Sequence, residues 1–214
     1  MSYTLFARAL IVAGAMSLGT ASAHAEEVAG YVKDLYHGWA HVRYEVDAKE
    51  QEKGYQNLKG QADQAVDAHP EDPNVWIWKG VITSTYAGAK GGLKALSLVK
   101  EARDCFEKAM TLNANAFGGS AYTSLGALYY QVPGWPLSFG DDKEAGKLLR
   151  KGLEINPDGI DANFFYGDYL REQGDLKQAK LYLEKALQAT PRPDRQVADA
   201  GRRGEIQALL KKMK

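Results

Sequence analysis

Cysteine is nearly absent from this sequence, since Cys105 is the only one among 214 residues. A single thiol cannot form an internal disulfide, which excludes a scaffold held together by disulfide bonds. Cys105 stands beside Phe106 in a segment with helical spacing of apolar residues, so we expect a packed and unreactive thiol.

An excess of charge of one sign is also lacking, because 27 Lys and Arg residues balance 27 Asp and Glu residues. Without a net positive field the chain has no general attraction to nucleic acid.

Long apolar runs are missing as well, and no stretch beyond the N-terminal segment approaches the roughly 18 apolar residues of a transmembrane helix. We therefore predict a soluble protein with no nucleic-acid partner and no membrane span.

The first 25 residues have the pattern of a cleaved signal peptide. Arg8 provides a positive start, residues 9–16 are apolar, and the Ala-His-Ala sequence that ends at Ala25 has the small-x-small form of a cleavage site. We expect cleavage after Ala25, with a cut after Ala23 as the alternative, and export to the periplasm. No cysteine lies near this site, so we expect no lipid anchor there.

Motifs of catalysis are missing too. The sequence contains neither the G-x-S-x-G turn of hydrolases nor the phosphate-binding G-x4-G-K-[ST] loop, and it lacks a set of metal ligands at a known spacing. We therefore predict a protein that is not an enzyme and that uses no cofactor.

Metal binding through His37 and His41 is an alternative hypothesis. Asp34, His37, His41 and Glu45 follow one another at spacings of 3, 4 and 4, which places them on one face of a helix. Two histidines one turn apart could bind a divalent metal, but Gly38 replaces the glutamate of the H-E-x-x-H motif. A solvated helix face with local ion pairs explains the same residues.

A repeat pattern is the most informative feature that is present. An aromatic residue and a glycine are followed at helical spacing by small and apolar positions, and a proline ends the segment. These positions are Tyr166, Gly167, Leu170, Ala179, Leu183, Ala186 and Pro191. The small residues would let two antiparallel helices approach closely, and the proline would end the second helix. The pattern resembles the tetratricopeptide repeat, a helix hairpin that needs stacked neighbours.

Related units precede this one. Tyr122 and Gly126 open a unit that Pro157 closes, and Gly80 belongs to an earlier unit. We therefore predict an all-α fold, a tetratricopeptide-like α-solenoid of about three to four helix hairpins with a C-terminal capping helix. The clearest repeats span 72–191.

We expect a single domain over 26–214. A weaker hairpin would pair a helix near 28–47 with one near 55–68, and the capping helix would occupy 192–214.

Insertions distinguish the upstream units from the last one. Extra residues fall in 132–140, which is rich in proline and glycine, and around 88–92, which contains three glycines. Both compositions predict connections between helices. The second segment could instead hold an anion with backbone N–H groups and Lys90.

Aromatic residues are concentrated in the predicted first helices and the loops that follow them. Most must be core residues, but rings two positions apart on a helix diverge by about 200°, so some face the concave surface. We predict a groove there for a peptide or an apolar organic ligand. The candidate residues are Tyr86, Lys90, Tyr122, Tyr129, Tyr130, Trp135, Phe139, Asn163 and Tyr166.

Four segments give a more specific resemblance. The residues at 85–92, 129–136, 139–142 and 163–167 are similar to those of exported bacterial tetratricopeptide proteins of the T-component family of tripartite ATP-independent periplasmic (TRAP) transporters. The resemblance implies an all-helical periplasmic subunit that assembles around a central cavity, as a homo-oligomer, and works with a substrate-binding protein.

These observations predict a non-enzymatic periplasmic protein that binds a protein partner as an accessory subunit of solute uptake. Trp135 and Phe139 of the inserted loop would anchor that partner. The alternatives are a binding protein for an apolar or anionic small molecule, and a metal-binding protein.

Overall fold

The computed structural model describes residues 28–213, and all regular secondary structure in this range is α-helical. The predicted signal peptide and its cleavage site lie outside the described residues. The helices are α1 (Gly30–Tyr44), α2 (Ala48–Ala68), α3 (Pro73–Lys90), α4 (Ala95–Asn113), α5 (Ala116–Gln131), α6 (Asp142–Ile155), α7 (Ile160–Glu172), α8 (Leu176–Leu187) and α9 (Gln196–Lys212). None of these described helices is long and apolar enough to cross a membrane.

Each pair of successive helices from α1 to α8 forms a hairpin, and the same close contact recurs in all four. A glycine of the first helix faces a large apolar side chain of the second, and a Cβ atom on that glycine would lie within 3.0 Å of the side chain. The four pairs are Gly38 with Leu58, Gly80 with Phe106, Gly126 with Leu149, and Gly167 with Leu183. The predicted solenoid of three to four hairpins with a capping helix is confirmed.

Aspartates begin three of these helices. Asp72, Asp141 and Asp175 each accept a hydrogen bond from a backbone N–H of the first turn of α3, α6 and α8. These bonds satisfy donors that have no partner inside the helix. Gly174, with φ of 83°, makes the left-handed turn between α7 and α8. Residues of the local sequence thus fix the starts of α3, α6 and α8 and the turn between α7 and α8.

The second helix of the first hairpin begins earlier than predicted, because α2 starts at Ala48 rather than near residue 55.

The extra residues near 88–92, which were predicted to form a connection between helices, are partly helical. Gly88 lies inside α3, and only 91–94 separate α3 from α4. With 18 and 19 residues, these helices exceed α7 and α8, which have 13 and 12. The insertion mainly lengthens the helices.

The other insertion, at 132–141, is a loop, as predicted. It is held by backbone hydrogen bonds, in which Gly140 N–H donates to Pro133 O at 3.0 Å and Asp141 N–H donates to Tyr129 O at 3.0 Å. These bonds close the loop on itself and onto the end of α5. Its central side chains therefore project from a fixed base.

The helices of the described chain form two layers. α1, α3, α5, α7 and α9 each contact the next in this series, and α9 also contacts α1. The inner helices therefore close into a ring, and α2, α4, α6 and α8 pack outside it. The spacing of apolar residues predicts stacking of neighbours but not this closure.

The contact that closes the ring lies between α1 and α9. At Gly201 a Cβ atom would lie 2.3 Å from the Tyr44 ring, so only glycine allows this approach. Arg43 Nη2 donates to Glu205 Oε1 across the same contact at 2.8 Å. The predicted capping helix thus joins the last repeat to the first one.

Candidate functional site

The ring of inner helices surrounds a cavity of about 1260 Å³. Its wall includes side chains from α1, α3, α5, α7 and α9, and from the connection between α8 and α9. A space of this size between packed helices is a favourable place for a ligand. The site is therefore built from the side chains on its wall.

A left-handed turn places one of these side chains. Phe117, Gly118 and Gly119 have φ values of 50°, 63° and 70° at the start of α5. Glycine adopts this conformation readily, but Phe117 does so at a cost of roughly 1–3 kcal/mol. A non-glycine residue held in such a conformation is a feature that often accompanies ligand sites.

Three aromatic rings gather around one guanidinium at this wall. Arg195 Cζ lies 5.4 Å from the ring centre of Tyr36, 5.0 Å from that of Trp78 and 5.5 Å from that of Phe117. These rings come from α1, α3 and α5, and all four residues border the cavity. Ring faces attract a cation, so they hold the guanidinium in place without neutralising its charge.

Arg195 has no counter-ion within the described part of the chain. The ion pairs among residues 28–213 do not include Arg195, and its Nε atom is buried without an acceptor. The neighbouring Asp194 instead accepts a hydrogen bond from Tyr36 Oη. Burial, with repulsion from Arg192, lowers the pKa of Arg195 to about 10, so it stays charged at neutral pH.

The other arginines of the cavity wall are paired. Alternating cations and anions connect α1, α9, α7 and the connection before α9, in the order Arg43, Glu205, Arg202, Asp161, Arg192 and Asp199. Arg202 Nε donates to Asp161 Oδ1 at 2.9 Å, and Arg192 Nη1 donates to Asp161 Oδ2 at 2.9 Å. This series of ion pairs, here called the closure network, supports the contact between the ends of the ring.

Titration of the closure network reflects these contacts. Burial alone would raise the pKa of Asp161, but Arg202 and Arg192 hold it well below its usual range. Burial would lower the pKa of Arg202, but Asp161 more than offsets this and raises it. The pairs of Asp161 with Arg202 and Arg192 are therefore ionised at neutral pH, and these charges compensate each other within the wall.

Two further polar atoms of the cavity wall have no partner among the described residues. Trp78 Nε1 and Tyr55 Oη are buried and make no hydrogen bond. Trp39 Nε1, by contrast, donates to Thr85 Oγ1 at 3.0 Å. The unsatisfied groups of the wall, Arg195 included, can all donate hydrogen bonds, so the wall suits a ligand that accepts them.

None of the nine residues that the sequence analysis proposes for a groove borders this cavity. Tyr86 is buried, and its hydroxyl accepts from Lys90 Nζ, which also donates to Glu52 on α2. Asn163 is buried and donates from Nδ2 to Pro157 O at 2.8 Å and to Gly159 O at 2.9 Å.

Four of the remaining aromatic candidates contact other side chains. Tyr129 and Phe139 meet edge to face with 5.2 Å between ring centres. Tyr130 donates to Asp168, and Tyr166 packs against Tyr182.

Two candidates differ from these packed rings. Tyr122 is half-buried on α5, and Trp135 is 90% exposed. A role in binding for the nine residues stays a prediction.

The histidines and the thiol are placed as follows. His41 Nδ1 lies 2.8 Å from Glu45 Oε2 on the exposed face of α1, and His37 packs against Tyr36. Within residues 28–213 no three His, Cys, Asp or Glu residues are grouped to hold a metal. Cys105 is buried, and burial raises the pKa of its thiol to about 12.

The residues that form the cavity wall could not be identified from the sequence pattern. Arg195 and Arg202 fall in the segment predicted as the capping helix, and Phe117 belongs to no periodic pattern. The Gly118-Gly119 pair that follows Phe117 was an available sign of an unusual turn.

Helix hairpins that stack around a cavity define a helical-repeat protein. A family model described as "Tetratricopeptide repeat" matches residues 160–193, which cover α7, α8 and the start of the connection to α9. The chain thus carries a tetratricopeptide repeat in its last hairpin, as the spacing predicts. No curated protein matches the sequence.

Several solved structures are similar to this chain. Yeast Tom70 has 13% identity and a TM-score of 0.44. The match covers 83% of this chain and 40% of the Tom70 chain. TTC0263, described as a thermophilic TPR protein from Thermus thermophilus, has 15% identity and a TM-score of 0.38. The match covers 70% of this chain and 91% of the TTC0263 chain. Pseudomonas aeruginosa pilF has 14% identity and a TM-score of 0.35. The match covers 85% of this chain and 91% of the pilF chain.

Proposed function

We propose that this chain is a non-catalytic binding protein that holds an anionic ligand in its central cavity. The observation that carries the proposal is Arg195, a guanidinium at the cavity wall without a counter-ion in the described part of the chain. Stacked helical repeats generally provide binding surfaces, which supports binding rather than a reaction.

The energetic argument concerns the unpaired charge. Moving a charged group out of water costs free energy unless an opposite charge or hydrogen-bond acceptors compensate it. The chain compensates Arg192 and Arg202 with carboxylates in direct contact, but the guanidinium of Arg195 contacts ring faces and has no carboxylate within ion-pair distance among the described residues. A ligand that brings a negative charge would supply the missing compensation, and binding would be favourable for that reason.

Binding is favoured over catalysis by the state of the reactive groups. The Asp161 carboxylate accepts from two arginines, and the Asp194 carboxylate accepts from Tyr36. A general base needs a free lone pair directed at the substrate. The Cys105 thiol is buried and outside the cavity wall.

Native mass spectrometry of the protein purified from its own compartment is the test. We expect the wild type to retain an anionic mass, and Arg195→Gln to lose it, because glutamine keeps polar atoms but removes the charge. Arg150→Gln, on the exposed face of α6, is the matched control and should retain the mass. Equal retention by both variants would contradict the proposal.

A protein partner is a second candidate function, supported by the inserted loop. Trp135 is 90% exposed and Leu137 is 59% exposed, on a loop that backbone hydrogen bonds hold in place. Exposed tryptophans are frequent anchors of interfaces. The partner would be a periplasmic substrate-binding protein, with this chain as an accessory subunit of solute uptake.

Trp135→Ala is expected to weaken partner binding by about tenfold or more, while the melting temperature stays within about 1 °C. The ring makes no aromatic or hydrogen-bonded contact within the described residues that the variant would remove. Surface plasmon resonance against purified substrate-binding proteins of the same organism measures the affinity. Leu93→Ala, another exposed apolar residue, is the control. Unfolding by Trp135→Ala would show that the loop is structural.

A further inference from the structure

We infer that the cavity takes a small organic acid with one negative charge and an apolar, ring-containing body. This inference rests on the proposed function and specifies the class of ligand. It follows from three properties of the cavity wall, which are its charge balance, its apolar surface and the type of its unsatisfied hydrogen-bonding groups.

The charge balance limits the ligand to one negative charge. Among the arginines at the wall, Arg43, Arg192 and Arg202 all have carboxylate partners, and only Arg195 lacks one within residues 28–213. One carboxylate can form two parallel hydrogen bonds with a guanidinium. The other cation of the wall without a carboxylate partner among the described residues is Lys212, which is exposed at the end of α9 and hydrated. A second carboxylate would therefore find no further buried cation, and its loss of hydration would oppose binding.

The apolar surface favours a ring-containing body. Phe117 and Trp78 meet edge to face at 5.7 Å beside Arg195, and Phe164 and Phe165 contribute further rings to the same wall. Aromatic and aliphatic ligand groups lose water favourably against such a surface. The Phe117 ring already packs against Trp78 and Tyr36 without a ligand, which reduces the ordering needed on binding.

The unsatisfied groups of the wall favour a small acid over a peptide. Arg195 Nε, Trp78 Nε1 and Tyr55 Oη can all donate hydrogen bonds. A peptide would bring backbone N–H donors of its own, which need acceptors. The cavity carboxylates already have partners. Asp161 and Glu205 accept from arginines, Asp168 and Asp194 accept from tyrosines, and Asp158 pairs with Lys185. A carboxylate with an apolar body brings acceptors and no additional donors.

Isothermal titration calorimetry of the full chain with matched probes is the test. The probes are naphthalene carboxylate, its neutral analogue naphthylmethanol, naphthalene dicarboxylate, acetate, and an N-acetylated tripeptide that ends in phenylalanine. We expect naphthalene carboxylate to bind best. The neutral analogue and the dicarboxylate should each bind about 10- to 100-fold more weakly, because one lacks the charged hydrogen bonds and the other adds an uncompensated charge.

Arg195→Gln is expected to reduce the affinity for naphthalene carboxylate to that of naphthylmethanol. The variant should melt close to the temperature of the ligand-free wild type, because relief of a half-buried charge without a carboxylate partner offsets the loss of its contacts with three rings. This melting curve also shows that the variant is folded. Arg150→Gln should bind all probes as the wild type does.

Three outcomes would overturn the inference. Equal affinity for the carboxylate and its alcohol would show that charge is not recognised. Tighter binding of the dicarboxylate or of the tripeptide would assign a different ligand class, while the proposed function would stand provided that Arg195→Gln abolishes the binding. If no anionic probe binds, the proposed function fails together with the inference.

Discussion

Replacing Arg202 by alanine is expected to lower the free energy of unfolding by about 2–4 kcal/mol, because two charged hydrogen bonds and a stacked guanidinium are lost. The Arg202 side chain is only 9% exposed, donates to Asp161 and Glu205, and lies over Phe164 with 4.3 Å between Cζ and the ring centre. Its removal would leave Asp161 with Arg192 alone and Glu205 with Arg43 alone, and it would open space beside the Phe164 ring. Chemical denaturation followed by circular dichroism measures the change.

Two controls separate the contributions of charge and geometry at Arg202. Arg202→Lys keeps the charge but loses the planar guanidinium that both bonds its partners and stacks on Phe164, so an intermediate loss is expected. Arg103→Ala removes an exposed ion pair with Asp104 and should cost at most about 1 kcal/mol. An Arg202→Ala variant as stable as Arg103→Ala would show that the closure network contributes little.

Gly80→Ala is expected to destabilise the protein by about 1–3 kcal/mol, although alanine normally favours helices. The added Cβ atom would lie 2.5 Å from Cε1 of Phe106, whose ring is fully buried between α3 and α4. A ring packed on all sides cannot move away without disturbing its neighbours. Thermal melting and urea denaturation both measure the loss.

A second substitution tests this explanation for Gly80. Phe106→Leu shortens the ring side chain, so the double variant Gly80→Ala with Phe106→Leu should be more stable than the sum of the two single losses predicts. Gly60→Ala is the matched control, because a Cβ atom there meets no atom within 4 Å, and it should raise stability slightly. Additive losses would mean that the two residues do not oppose each other.

The hairpins could be predicted from the sequence because their contacts are local and periodic. Gly167 and Ala179 are close in the chain, and the helix spacing places them on facing surfaces. Gly38 marks the first hairpin in the same way, and its contact with Leu58 explains why a weak repeat pattern still forms a complete unit. Capping aspartates such as Asp141 were equally readable, since their partners lie in the next turn.

The cavity could not be predicted because its contacts have no period. Arg43 pairs with Glu205 across 162 positions of the chain, and Tyr36 bonds Asp194 across 158. Basic residues in a helical tail usually lie on a solvated face, and nothing in the spacing of Arg202 distinguishes it from them. The nine residues predicted for an aromatic groove lie apart from the cavity wall for the same reason, since a pattern shows which rings share a helix but not which helices meet.

Contact between α1 and α9 has a consequence for how this architecture can evolve. Open arrays of repeats gain or lose units at either end, because each unit needs only its neighbours. Here an added or deleted hairpin would separate Gly201 from Tyr44, and the contact between α1 and α9 would be lost. The number of hairpins should therefore stay at four in any descendant that keeps the central cavity. Insertions and deletions should concentrate in loops away from the contact between α1 and α9.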